Sequence, residues 1–363
     1  MQRITLMLSL IILLIFPIDL SAQDEIVSVT LYYDISPMAN YGVEAVDELV
    51  EAANEQLDDY GVEITTERGS VLTQRLDNAI FLSAFSNFTV EGEEVTHIHL
   101  QARNFDVERL SPILRSNYTL SYQPDVLSDD IIIALALYNA SYFDDVETML
   151  LNNFAETSTE GIHFYIGNIK LIQEDYQVGL DYFGQIETRT VNDKVDVVAN
   201  STWSLLNLNR QDEAFAIVNN ELSEWAEQSG FQIALTVIRA QLYALTFDYD
   251  SAIADMDSAI VQASEAGYGN FSLAELYTQR GEIIFLIYEW DRVEDNFDTA
   301  IELDPTYSPA YFQRGVLFYT MARREDALSD FEMYLELEPD GIYAEDAESY
   351  IESIEIELEA LNG

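Results

Sequence analysis

Apolar residues change their spacing along this chain, and the changes mark its elements. Ile4 to Phe16 is a predominantly apolar run, shorter than the roughly 20 residues a membrane-spanning helix needs. Val27 to Tyr33 has the β-branched and aromatic bias of a strand, and Val43 to Leu57 places apolar residues at helical spacing. Val62 to Thr66, Asn78 to Phe85 and Val95 to Ala102 read as further strands, the last two joined by the turn-like Glu91, Gly92 and Glu93. Beyond Leu127 the pattern is helical. Its last segment, Tyr343 to Leu361, alternates apolar and acidic residues with Tyr350, Ile354 and Leu358 on one stripe.

Within that helical part the sequence repeats. Tyr277, Arg280, Gly281, Phe297, Glu302, Leu303 and Pro305 recur, displaced by 34 residues, as Tyr311, Arg314, Gly315, Phe331, Glu336, Leu337 and Pro339. The segments Ala274 to Tyr307 and Ser308 to Gly341 resemble tetratricopeptide repeats: an aromatic, a Gly, an aromatic and a small residue precede a closing Leu-acidic-Pro. Two antiparallel helices approach to about 8–10 Å only over small residues, so Gly281 and Gly315 on first helices, and Ala300 and Ala327 on second helices, are expected packing positions. Pro305 and Pro339 stop the second helices, because proline has no amide hydrogen to donate. Degenerate copies run from Ile233 (Tyr243, Tyr249, Ala252, Met256, Ala259), with Gly267 to Leu273 as an insert before the next repeat. Others cover Glu160 to Val191, Val195 to Gln228 and Leu127 to Asn153, about six repeats in all.

The expected fold class is therefore mostly α. A tetratricopeptide α-solenoid over 127–341 is closed by a capping helix over 342–363 and preceded by a small α/β domain over 25–125. The element order of that domain resembles TolB-like amino-terminal regions of bacterial tetratricopeptide proteins, which implies a non-enzymatic module for contact with envelope partners. Ahead of it, Arg3, the apolar run, Pro17, Ser21 and Ala22 follow the order of a secretory signal peptide over 1–22, cleaved after Ala22. The expectation is an exported protein of the extracellular space or cell envelope, with no membrane span left after cleavage.

Composition narrows the partners. Sixty-six Asp and Glu against 16 Lys and Arg give a net charge of −50, which disfavours nucleic acid and anionic membranes and suits salt adaptation or a basic partner. With no cysteine there is neither a disulfide framework nor a thiolate metal site. No phosphate-cradling loop or serine elbow occurs, so no catalytic residue and no cofactor is assigned. An alternative places metal or enzyme chemistry in 25–125, centred on His97 and His99, two residues apart on one strand face. His163, in a first helix, reads as a packing or groove residue. The pairs Asp129 with Asp130 and Asp248 with Asp250 suit helix starts, and the latter stretch lacks the Gly of a calcium loop. Five Asn-x-Ser/Thr triplets, at Asn87, Asn117, Asn139, Asn200 and Asn270, are uninformative in a sequence this rich in Asn and Ser.

The tetratricopeptide resemblance implies a groove lined by first helices. Carried over by position, its residues are Phe164, Asn168, Leu171, Trp203, Gln241, Thr278, Glu282, Phe285, Phe312, Val316 and Tyr319. Aromatic and apolar positions beside carboxylates suit a peptide or protein with hydrophobic anchors and basic flanks. The family's clamp for acidic C-terminal tails needs lysine in this groove, and none stands at these positions. Core packing is the competing reading for the aromatics. Arg280 and Arg314 are expected to form ion pairs between helices.

Overall fold

The computed structural model describes residues 27–33, 42–68, 79–90, 93–102, 104–111, 113–116, 120–122, 129–153, 159–187, 191–225, 229–339 and 341–362. The signal segment 1–22 and the turn residues Glu91 and Gly92 lie outside them. By packing, the chain divides within one helix into a unit ending at Ala214 and a unit starting at Phe215.

The first unit opens with β1 (Val27–Tyr33), α1 (Gly42–Leu57), β2 (Val62–Arg68), β3 (Ala79–Val90) and β4 (Glu93–Ala102). A short α2 (Phe105–Leu110) and β5 (Leu120–Tyr122) follow. The strand order is β2-β1-β3-β4-β5. β1 runs parallel to β2 (Val27 opposite Val62) and to β3 (Thr30 opposite Ala79), while β3–β4 and β4–β5 are antiparallel. Val29, Leu31, Val50, Ala53, Leu57, Val62 and Ile64 are buried between β1, β2 and α1. Asn54 of α1 closes the open edge of β2: its side chain donates to the Ile64 carbonyl (2.8 Å) and accepts from the Ile64 N–H (2.7 Å).

Helical hairpins follow: α3 (Asp129–Asn139) with α4 (Phe143–Asn153), α5 (Thr159–Ile172) with α6 (Tyr176–Phe183), and α7 (Val191–Asn207) leading into α8 (Gln211–Glu224). Every residue from Ile131 to Tyr138 is buried, so α3 has no polar face and none of the amphipathic signature of a repeat. The sheet is fastened to these helices. Tyr142 Oη donates to the Tyr60 carbonyl (2.7 Å), Ala102 N–H to Tyr165 Oη (2.9 Å) and Asn104 Nδ2 to the Tyr138 carbonyl (2.6 Å). The 25–125 region and the first hairpins thus share one packed unit.

The second unit contains α9 (Ser229–Leu245) with α10 (Tyr249–Glu265), α11 (Asn270–Phe285) with α12 (Trp290–Leu303), α13 (Ser308–Thr320) with α14 (Arg324–Leu337), and the terminal α15 (Ala344–Asn362). A Phe of the second helix fills the hollow over the glycine of the first. A Cβ on Gly281 would stand 2.6 Å from the Phe297 ring, and one on Gly315 would stand 2.9 Å from Phe331. Ala300 and Ala327 are fully buried. The expected insert Gly267 to Leu273 is mostly helix, because α11 begins at Asn270 and only a short turn at Gly267 (φ 75°) separates it from α10.

Each hairpin turns in the same way. Ser141, Glu174, Asn209, Phe247, Tyr288 and Ala322, one between the two helices of each pair, all have φ between 58° and 67°. Where Ala322 turns left-handed, its N–H donates to the Tyr319 carbonyl and the Arg323 N–H to Phe318, so two end-of-helix carbonyls are satisfied.

Candidate functional site

In the second unit, three arginines of first helices clamp neighbouring second helices. Arg239 binds Asp255 through two nitrogens (2.7 and 2.9 Å) and Asn219 through the third (2.9 Å). Arg280 reaches Asn296 (2.8 Å) and Asp257 (2.6 Å). Arg314 holds Asp330 bidentately (both 2.8 Å) and Asp298 (2.7 Å). The planar five-donor guanidinium permits this three-way reach, and lysine could not replace it. These residues are structural.

The face made by α9 and α11 has the opposite character: its carboxylates have no cation among the described residues, and the one donor given to Glu275 is Gln279 Nε2, at a long 3.5 Å. Gln241 Nε2 donates to Gln279 Oε1 (3.2 Å), but the buried Gln241 Oε1 has no donor among the described residues. Glu275, Gln279 and Glu282 follow at helical spacing on one stripe of α11. No described cation pairs with either glutamate. Burial, and then the charge of Glu275, push the Glu282 carboxyl up from 4.5 to about 7. The side chain keeps some surface exposure while its charge is poorly solvated.

In the first unit, the corresponding surface is filled by the chain itself. A turn closed by Leu114 N–H donating to the Ser111 carbonyl (3.1 Å) leads into a strap, Ile113 to Ser116, laid across α3, α5 and α7. Asn200 accepts from the Arg115 N–H (2.9 Å) and donates to its carbonyl (2.8 Å). Asn168 Nδ2 lies within bonding distance of the Arg115 and Ser116 carbonyls (3.1 and 3.3 Å), and Tyr138 Oη donates to the latter (3.0 Å). Asn200 Nδ2 also reaches Asn168 Oδ1 (2.7 Å), which makes the three helices one polar ladder. Burial pushes the Asp196 carboxyl up to about 7 against the lowering influence of Arg115.

No family model matches the chain. RNA polymerase II-associated protein 3 of Mus musculus is 38% identical over 69 residues, which is 19% of this chain and 10% of that protein, so the likeness spans about a tenth of the relative. A tetratricopeptide repeat protein from Parabacteroides merdae superposes with a TM-score of 0.47 at 12% identity, covering 62% of this chain and 83% of that one. The first repeat domain of Spaghetti (RPAP3), bound to the HSP90 peptide SRMEEVD, gives a TM-score of 0.31 at 23% identity over 35% of this chain and 94% of its own. The 34-residue recurrence and the glycine-on-phenylalanine hairpins decide the fold. The helical part has the tetratricopeptide-repeat fold.

These tetratricopeptide helices place most of the expected groove side chains inside the protein. Phe164 packs on Phe183 (5.7 Å) and Leu171 against Gly179, because helix pairs in the first unit close over them. Phe312 is stacked on Tyr343 (4.3 Å) and lies beside Phe331, Tyr334 and Tyr350. Tyr319 meets Tyr350 (5.1 Å) and Val316 packs into the same cluster, so α15 covers all three. Thr278 is buried and bonds the Ala274 carbonyl of its own helix (2.9 Å). Phe285, half-buried, lies against Trp290 (5.1 Å). As ligand anchors the buried Phe164 and Phe312 are corrected to packing residues, while Phe285 and Tyr319 are partly buried. Trp203 is also buried, although its indole N–H finds no acceptor among the described residues. Asn168, Gln241 and Glu282 keep polar roles on first helices.

Sequence reasoning missed Tyr138, Asn200, Glu275 and Gln279. Asn200 stood out only as a glycosylation triplet, and its complete burial removes that reading. His163 is half-buried with its ring against Tyr182 (5.6 Å). His97 and His99 occupy β4 opposite Ser86 and Ala84. Among the described residues no group of three His, Cys, Asp or Glu could hold a metal, and no helix is long and apolar enough to cross a membrane.

Proposed function

We propose that this protein is an exported interaction scaffold whose tetratricopeptide hairpins hold a segment of a partner protein on the α9–α11 face, and that the segment carries arginine or lysine. The observation behind this reading is a shortage of cations and donors there: the Gln241 oxygen has no described donor, and Glu275 and Glu282, on the α11 stripe that Gln241 meets through Gln279, have no described cation. A basic side chain supplies both the missing N–H groups and the missing charge. An acidic peptide such as the one bound to Spaghetti meets repulsion on this face. Export rests on the signal-like order of residues 1–22, and a secreted chain beginning at Gln23 is its test. The TolB-like resemblance of the α/β region rests on element order alone, and positioning the scaffold is the role it suggests.

Calorimetry with a peptide alternating leucine and arginine, and with its leucine–glutamate counterpart, tests the partner chemistry. The basic peptide is expected to bind and the acidic one not. Glu282→Gln should weaken binding about tenfold, equivalent to ~1.4 kcal/mol, whereas Glu359→Gln on the exposed side of α15 should leave it unchanged. Equal losses from both variants would reduce the interaction to general attraction by net charge.

A further inference from the structure

The strap touches the helices in an unusual way. Tyr138, Asn168 and Asn200 come from three successive first helices, and all of them bond the main chain of Arg115 or Ser116, while the Ser116 hydroxyl accepts from the Asn104 N–H (3.0 Å). Asn200 engages both the N–H and the C=O of one residue, as an adjoining strand would. Such contacts read any peptide backbone, whatever its sequence, and selectivity is left to the flanking side chains. Those flanks are specific here. Ile113 and Leu114 are buried, and the Arg115 guanidinium folds back onto their carbonyls (both 3.1 Å), with the Asp196 carboxyl near enough to feel its charge. One turn beyond Asn200, the buried Trp203 N–H is a donor with no acceptor among the described residues.

We infer that the α3–α5–α7 face is a peptide-reading groove whose resident ligand is the chain's own Ile113–Ser116, and that an external segment with two apolar residues before Arg-Ser exchanges with it. This rests on reading the hairpins as peptide-holding, but on a different face from α9–α11. The strap then acts as a built-in competitor: the groove stays closed to weak ligands and opens only to segments of its own chemistry.

The absence of cysteine lets one thiol report on this exchange. In the mature chain carrying Ser116→Cys, maleimide labelling should be slow, because the position is fully buried. Excess blocked hexapeptide with the sequence of residues 111–116 should accelerate labelling about tenfold, and a version with glutamate for arginine should not. A rate indifferent to the hexapeptide overturns the inference. Should that variant misfold, fluorescence anisotropy on the unaltered protein decides. Saturable hexapeptide binding is expected there, lost in Asn200→Asp, which keeps the side-chain shape but removes the amide donor. Binding that survives Asn200→Asp, or no binding at all, rejects the groove. Binding abolished by Glu282→Gln instead assigns the hexapeptide to the α9–α11 face, which defeats this inference and leaves the proposed function standing.

Discussion

Glu282 shows how one side chain can couple charge, stability and binding. Its carboxyl is held at about 7 instead of 4.5, so between those values the folded protein binds more protons than the unfolded chain. Stability contributed at this position therefore falls as pH rises through that window, and the penalty is complete above pH 7. Glu282→Gln removes the penalty. It should raise stability at pH 8 by roughly 1–3 kcal/mol, with little change at pH 4, as read from urea unfolding at both values. The proposed binding of a basic peptide runs the other way: such a peptide would pair with the ionised form, so on that proposal binding should tighten from pH 5 to pH 8. At this scale the sequence was informative about packing. Gly281 and Gly315 announce themselves by recurring at one period, whereas the aromatics beside them carry no mark that separates anchor from core. Phe312 had the right position for a groove, and only the location of α15 shows that it is covered. Asn200 has no legible signal, because its role depends on a strap 85 positions away in sequence.

At the scale of elements, the arginine ladder joins each first helix of the second unit to second helices on either side. Arg314 is the most committed rung, as Asp330 is almost fully buried with only that guanidinium in bidentate contact. Arg314→Met should cost about 3 kcal/mol, because it strands a buried carboxylate. Replacing both residues, Arg314→Met with Asp330→Leu, should recover most of that loss. Urea midpoints of the single and double variants measure it, and a loss below ~1 kcal/mol in the single variant would make the ladder dispensable. Element identities were legible where spacing is strict, from α9 to α15 and for β1 to β4. The weak repeats of the first unit were harder to read for a physical reason: α3 is buried on every side, so its sequence is uniformly apolar and periodicity has nothing to register. Likewise α2 and β5 are too short to imprint a pattern, and the expected insert before α11 is absorbed as extra turns of helix.

For the whole molecule, a net charge of −50 sets a background repulsion that no single contact removes. Most described arginines are already engaged in ion pairs, so added salt has more repulsion than attraction to screen. The melting temperature should climb as sodium chloride is raised to about 1 M, where the screening length is ~3 Å. A flat or falling curve would mean that the ion-paired rungs outweigh the surface. One recurring detail governs how far this architecture can be tuned. The bend of each hairpin depends on a left-handed residue, and in none of the six is it glycine. A side chain in that conformation costs roughly 1–2 kcal/mol. Heat tolerance is thus adjustable at the joints rather than in the helices: glycine there would relieve the strain and raise the melting temperature, and valine or isoleucine would deepen the strain and lower it, without altering the outer faces of the helices.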